Sequence, residues 1–489
     1  MAISDIGFCQ IWLFPISESA IYGCFRYTAR KDTEEVLMKR EATEKLSQWY
    51  NSPTRKPLVL SGARQVGKTW LVQDFASSRA PLAYVNLLNN QTMQSVFAGS
   101  LDPDRLLTAI SAYTGTTASD GHTFVFLDEV QECPRALTSL KMFCEQRPDV
   151  PVVVAGSLLG VALNRGADAD GQGGVSWPVG KVDYLDLYPM TFLEFLDAMG
   201  EEGLADLVRG GSFDLVSAMS EKYEDLLRIY LYVGGMPEAV ARYVATGSLK
   251  EARAVQEHLI RDYEYDFSKH VASPIDTERI RETWRSVPTQ IARESGNGKF
   301  VYSQIRTGGR GRDYRDAVSW LVDAGLVIRV RRAGMPGMPL RSYADDRSFK
   351  LFMLDTGMLG AALRLPEKVI IEGDALFTHA KGAYAEQYVC QQLMAYGGNA
   401  PYYWSADGKK SKAEVDFLYD YSGTVIPVEV KAERNVSSTS LGNFAHNYGI
   451  KRCVRLSLLG YKDQGWLVNL PLYAADALMN LPAVPEGIS

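Results

Sequence analysis

The chain has 489 residues, more than one ordinary hydrophobic core accommodates, so two or three domains are expected. With 46% apolar and 22% charged residues it reads as globular, and a net charge of −6 excludes a global attraction for nucleic acid, leaving only local basic faces. Six cysteines and five histidines lie scattered without Cys-x-x-Cys spacing, against a zinc site or disulfide framework and for a reduced cytoplasmic setting; no run is apolar enough for a membrane span.

Residues 1–37 have no clean structural period, and the apolar patch Ile11–Phe14, lacking a basic flank and followed by Pro15, is a poor signal peptide. From Met38, the expected initiator, the text changes to an amphipathic helix through Leu46 and Trp49 that ends near Pro53. Leu58-Val59-Leu60 then reads as a buried strand entering Ser61-Gly62-Ala63-Arg64-Gln65-Val66-Gly67-Lys68-Thr69 and a helix through Phe75. The pattern is that of a complete P-loop. Its glycines let successive backbone N–H groups of Gly62, Ala63, Arg64, Gln65, Val66 and Gly67 face a phosphate. The helix N-terminus adds partial positive charge. Lys68 is the residue type that reaches the β- and γ-phosphates, and Thr69 the type that ligates Mg²⁺, so ATP and Mg²⁺ are the expected cofactors.

Leu82–Leu87 is the next expected strand, and a helix follows over Arg105–Tyr113. Phe124-Val125-Phe126-Leu127-Asp128-Glu129 has the form of a second phosphate-site strand, with Asp128 toward Mg²⁺ and Glu129 polarising the attacking water. Val152–Ser157 is a further buried strand, and Ser157 at its end either senses the γ-phosphate or belongs to a plain turn. Residues 164–178 read as a mobile loop, Val182–Leu187 as a strand, and Phe192–Leu196 as a helix. Alternation over 58–187 predicts an α/β, doubly wound P-loop NTPase domain. Residues 190–270 read as a helical lid broken at Gly234-Gly235-Met236-Pro237.

Residues 276–332 carry the most basic long segment. Helices are expected at Thr289–Arg293, Tyr302–Ile305 and Asp313–Ala324, then a strand at Leu326–Val330. That order is a winged helix, which serves DNA or RNA contact or protein contact alone. Beyond Phe349, a helix opens at Lys381 and carries Glu386, and strands Glu414–Tyr419 and Val425–Lys431 flank a hairpin loop. Period-two alternation puts Glu414 with Asp416, and Glu429 with Lys431. Pairing through the loop brings Asp416 toward Glu429. Glu386, Asp416 and Glu429 are therefore the expected ligands of one Mg²⁺ or Mn²⁺, with Lys431 beside the attacking water. The competing readings are a charged sheet face without metal and a nuclease fold without activity.

As a whole, residues 38 to about 470 resemble a prokaryotic family in which an AAA-type P-loop ATPase is fused, through a winged helix, to a restriction-endonuclease-like domain of unknown function (family 4143). The matching residues are Leu60–Thr69, Leu127-Asp128-Glu129-Val130-Gln131, Gly156-Ser157, Pro189–Phe195, Gly234–Pro237, Phe349–Gly357, Lys381-Gly382 with Glu386, Glu414–Phe417 and Pro427–Lys431. The resemblance implies an AAA-type core at 38–200, a helical lid at 201–275, a winged helix at 276–345 and a restriction-endonuclease-like domain at 346–489, after an extension at 1–37. It implies an ATPase coupled to a nuclease-like domain acting on nucleic acid. The alternative is a nucleotide-switched module, with little turnover, that binds a protein partner or a second copy of itself. One departure stands out. Where the family carries Gly-Arg before the strand preceding Pro189, this chain has Gly180-Lys181, which lacks the bidentate fork expected of a γ-phosphate sensor.

Overall fold

The computed structural model describes residues 38–157, 159, 177–271, 273–293, 298–368, 381–406, 413–421, 423–432, 434 and 438–481. The extension at 1–37 and all but the last two residues of the expected loop at 164–178 lie outside them.

The first layer alternates strands and helices. It runs α1 (Ala42–Asn51), β1 (Leu58–Ser61), α2 (Lys68–Ser77), β2 (Leu82–Asn86), α3 (Gln91–Ala98), α4 (Pro103–Thr114), β3 (Phe124–Asp128), α5 (Pro134–Gln146), β4 (Val152–Ala155) and β5 (Asp183–Asp186). All strands are parallel, in the order β2-β3-β4-β1-β5. Helices on both faces bury the strands, which explains why Phe124–Asp128 and Val152–Ala155 are unbroken buried runs. Helices α3 and α5 are additional to those expected; Asn90 caps the first and Pro134 opens the second.

A helical stretch follows: α6 (Phe192–Ala198), α7 (Glu202–Arg209), α8 (Phe213–Ala218), α9 (Ser220–Val233), α10 (Pro237–Thr246) and α11 (Leu249–His270). The expected break at Gly234–Pro237 falls between α9 and α10. Next come α12 (Pro274–Ala292), a 3-10 turn at Tyr302–Gln304, and α13 (Gly311–Asp323). The helix expected at Thr289–Arg293 is the tail of α12. That helix begins at Pro274 under a Ser273 cap and carries Pro288 inside it.

Strands β6 (Val327–Ala333) and β7 (Ala344–Met353) form an antiparallel pair, and α14 (Thr356–Ala362), α15 (Lys381–Gly397), β8 (Tyr402–Ser405), β9 (Glu414–Tyr421) and β10 (Thr424–Val430) follow. The chain closes with α16 (Thr439–Tyr448), β11 (Cys453–Ser457), β12 (Lys462–Asp463) and β13 (Leu467–Pro471). These strands make one mixed sheet, β12-β13-β11-β10-β9-β8-β6-β7, because β6 pairs in parallel with β8. The β6–β7 hairpin, where a wing was expected, is thus continuous with the C-terminal strands, and the expected division at 345/346 falls inside β7.

One apolar core joins the layers. Leu60, Val66 and Leu71 of the P-loop region pack in the same cluster as Leu259, Trp284, Leu321 and Leu351. The stretch from Leu60 to Leu71 therefore shares one core with α11, α12, α13 and β7. No helix among the described residues is long and apolar enough to cross a membrane.

Candidate nucleotide site and C-terminal charge cluster

Parallel sheets open a crevice beyond the carboxyl ends of their strands where strand order reverses. Here β1 lies between β4 and β5, and the expected residues Gly62 to Thr69, Asp128, Glu129 and Ser157 all lie at or beyond the carboxyl ends of β1, β3 and β4. Gly62 has φ +143, and a Cβ there would lie 2.2 Å from the Leu187 carbonyl oxygen, so only glycine makes this turn. Lys68 folds back over the loop, donating to the Gly62 carbonyl at 2.9 Å and the Ala63 carbonyl at 2.8 Å. Burial lowers its pKa to about 8, against the pull of Glu129 and Asp128.

The Thr69 hydroxyl donates to Asp128 Oδ2 at 2.7 Å, and the Tyr84 hydroxyl reaches the same oxygen at 3.3 Å. Burial raises the Asp128 pKa despite these bonds. Glu129 sits in the left-handed region, φ +52, which turns its side chain away from the run of β3. Its Oε2 accepts from Gln131 Nε2 and, at 3.2 Å, from the Ser157 hydroxyl. Ser157 is therefore joined to the carboxylate expected to act on water.

The loop is gripped from outside by residues that lie beyond the P-loop motif. Arg40, buried, donates to the Val66 carbonyl at 2.9 Å and the Tyr188 carbonyl at 2.6 Å, and pairs with Glu194 at 3.1 Å. Glu194 belongs to a capping box with Thr191, a Thr-x-x-Glu signal that the sequence displays openly. Tyr263 of α11 donates to the Arg64 carbonyl at 2.7 Å, and Asp266 of α11 pairs with the Arg64 guanidinium. Lys181 is elsewhere. It precedes Asp183, which pairs with Leu58 at the start of β1, and its Nζ lies 2.9 Å from Glu145. The expected sensor position is thus at the opposite end of the sheet from the P-loop, out of reach of a bound phosphate.

The C-terminal residues gather around lysines. Lys350 of β7 is buried, with Nζ 2.9 Å from Glu386 Oε2 and 2.7 Å from Glu414 Oε1. Asp416 accepts the Val430 N–H at 2.7 Å; burial, then Glu386, pushes its pKa up to about 7. Lys431 pairs with Glu429 at 3.3 Å and feels Asp416 and Glu386 as well. Glu429, however, turns toward Ser438, which donates to it at 2.7 Å, and pairs in register with Arg455. Among the described residues no group of three carboxylate, histidine or cysteine side chains converges to hold a metal ion. A register shift in the β8–β9 pairing places Val415 and Leu418 in one core cluster while Phe417 joins another, so β9 departs from strict period-two alternation. Lys350 supplies positive charge beside Glu386 and Glu414.

Comparison with known proteins adds the following. Residues 54–196 match the family model described as AAA domain, residues 224–369 the Domain of unknown function (DUF8612), and residues 381–473 the Domain of unknown function (DUF4143). No curated protein matches the chain. Among solved structures, the chain is similar to the Walker-type ATPase PABY2304 of Pyrococcus abyssi, at 15% identity over 67% of this chain and 96% of that one, with a TM-score of 0.42. It is also similar to the Aeropyrum pernix Orc1 protein in complex with DNA, at 14% identity over 69% and 96% of the two chains and a TM-score of 0.24. The Thermotoga maritima RuvB Holliday junction branch migration motor matches at 14% identity over 60% and 90%, with a TM-score of 0.26. The chain thus carries a match to the AAA domain family at residues 54–196 and a match to DUF4143 at residues 381–473.

Proposed function

We propose that the chain binds Mg–ATP at Gly62–Thr69 and hydrolyses it. The observation that carries this reading is the 2.7 Å bond from Thr69 to Asp128. It brings a hydroxyl and a carboxylate together next to Lys68 and Glu129, which is the donor set that a magnesium nucleotide requires. Thr69 and Asp128 would hold Mg²⁺, which when bound withdraws charge from the phosphate oxygens. Lys68 exchanges its two loop carbonyls for β- and γ-phosphate oxygens. Glu129 orients a water and takes its proton as the water oxygen bonds to the γ-phosphorus. The bond from that phosphorus to the bridging oxygen breaks, and ADP and phosphate leave. Ser157, already on Glu129, is placed to exchange that contact for a γ-phosphate oxygen.

The test is phosphate release with Mg²⁺. Lys68→Ala should remove both nucleotide binding and turnover, and Glu129→Gln should lower turnover by about 100-fold or more while ATP still binds. Equal turnover in wild type and Glu129→Gln would end the catalytic assignment.

A second reading concerns residues 276–332. Arg306, Arg310, Arg312 and Arg315 are all exposed around the N-terminal end of α13, which favours a DNA or RNA phosphate backbone as the partner of this face over a protein surface. The nuclease reading of the C-terminal cluster lacks comparable support, because Lys350 already compensates Glu386 and Glu414.

A further inference from the structure

After β13 the chain enters a 3-10 stretch, Leu472–Asn480, in which Leu472–Leu478, reading Leu-Tyr-Ala-Ala-Asp-Ala-Leu, is apolar but for Asp476. The apolar side chains bury the stretch in the core shared with α6, α7, α9 and α15. Asp476 is carried in with them and is only 4% exposed. Among the described residues neither of its carboxylate oxygens accepts a hydrogen bond. A buried carboxylate in that state is costly unless a cation or a proton joins it.

Asp476 lines a cavity of about 260 Å³ bounded by the start of α1, by α6, α7 and α15. Leu193, Val208 and Ala477 form the apolar wall, and Glu41, Arg209 and Tyr396 are the other polar groups that line it. The Arg209 guanidinium is already engaged, with nitrogens 3.2 and 2.7 Å from the two Asp197 oxygens and 3.4 Å from Glu41 Oε1. The Tyr396 hydroxyl has one proton and donates to Glu41 Oε1 at 3.2 Å. Two carboxylates therefore line the space against one guanidinium, which Asp197 also shares. Burial above all, then Glu41, raises the Asp476 pKa well above the carboxylate range, and Tyr396 and Arg209 only oppose this.

We propose that this cavity binds a small aliphatic amine, with its ammonium between Asp476 and Glu41 and its hydrocarbon stem against Leu193, Val208 and Ala477. An ammonium brings three N–H donors and no acceptor, which suits carboxylate oxygens that lack donors. The apolar wall covers the stem, as a ligand cavity with few polar groups requires. A divalent metal ion fits less well, because among the described residues no three carboxylate, histidine or cysteine side chains converge to hold one. An anion would meet like charge from both carboxylates. Amine binding here requires no nucleotide.

The experiment titrates the full chain by calorimetry with n-butylamine and 1,4-diaminobutane, with butan-1-ol as the uncharged control. Salt at about 150 mM screens loose attraction to exposed carboxylates. Either amine should bind with a dissociation constant of about 1 mM or tighter, and butan-1-ol should give no saturable heat. Asp476→Asn keeps the shape and removes the charge, and should weaken the amine by about tenfold or more. Ala477→Leu keeps both carboxylates but fills the cavity, and should abolish binding. Each amine should raise the melting temperature of wild type and leave that of either variant unmoved. Absence of saturable amine binding to wild type, or equal binding by wild type and Asp476→Asn, overturns the assignment and leaves Asp476 neutralised by a proton alone. Butan-1-ol binding as tightly as n-butylamine also overturns it, since the carboxylates would then play no part. That last comparison uses wild type only and is decided even if a variant fails to fold.

Discussion

Asp355 accepts the backbone N–H of Gly235 at 2.6 Å, closing a contact between positions 120 residues apart. The same fully buried carboxylate accepts from Met358 N at 3.0 Å and Gln391 Nε2 at 3.1 Å. It thereby ties the turn between α9 and α10 to the start of α14 and to α15. Gly234 has φ +71, and a Cβ there would lie 2.1 Å from Asp355 Oδ1, so the turn admits no larger residue while Asp355 is present. Asp355→Ala orphans two backbone donors and should cost about 1–3 kcal/mol in urea unfolding. Gly234→Ala should also destabilise, but the double variant should lose less than the sum, because the shortened side chain at position 355 no longer meets the added methyl. Simple additivity would show that the two positions do not share one contact.

The buried Lys68 predicts a pH dependence of nucleotide binding. Its folded pKa is lowered to about 8 by burial, so above that pH the free site holds a neutral amine. Phosphate favours the ammonium, so binding above pH 8 must take up a proton. Affinity for ADP should therefore be flat below about pH 8 and weaken by up to roughly tenfold per unit above it. Calorimetry in two buffers of different ionisation enthalpy checks the proton uptake directly. No uptake at pH 9 would mean that Lys68 stays charged in the free protein.

The candidate nucleotide site is legible in the sequence because its geometry is local. Gly62 to Thr69 form one turn, and Asp128 and Ser157 follow buried apolar runs whose strand character is plain. What holds that turn is not local. Arg40, Tyr263 and Asp266 come from segments distant in the chain, and only tertiary packing selects which polar residues beside α1 and along α11 face the loop. The C-terminal cluster is half legible for the same reason. Pairing of β9 with β10 brings Asp416 and Lys431 into one neighbourhood, while Glu429, opposite Arg455 in register, accepts from Ser438. Lys350 lies in a motif visible in the sequence. Its role depends on β6 pairing with β8, which no local pattern announces.

The arginine-bearing face of α13 should bind nucleic acid weakly and with steep salt dependence. Replacing Arg310, Arg312 and Arg315 by glutamate should weaken a fluorescent duplex and a single strand alike, and flatten the slope of log affinity against log salt. All three are exposed, so the triple variant should fold like wild type. Unchanged affinity between low and moderate salt would assign this face to something other than phosphates.

The C-terminal cluster yields opposite expectations for a metal centre and for a lysine-balanced one. In a metal centre, Lys350 would be an intruder whose removal opens room for a divalent cation. In the arrangement observed, Lys350 is the counter-charge of Glu386 and Glu414, all three on buried or half-buried positions. Lys350→Met leaves those carboxylates uncompensated and should destabilise the chain by about 3–5 kcal/mol, the usual cost of breaking a buried pair from one side. Adding Glu386→Gln and Glu414→Gln to Lys350→Met removes the repulsion and should restore part of the loss. Mn²⁺ titration of the full chain saturated with Mg–ADP, so that the P-loop contributes no heat of its own, should give the same result for wild type and Asp416→Ala. A heat present in wild type and missing in Asp416→Ala would establish a metal at these carboxylates and displace the lysine-balanced reading.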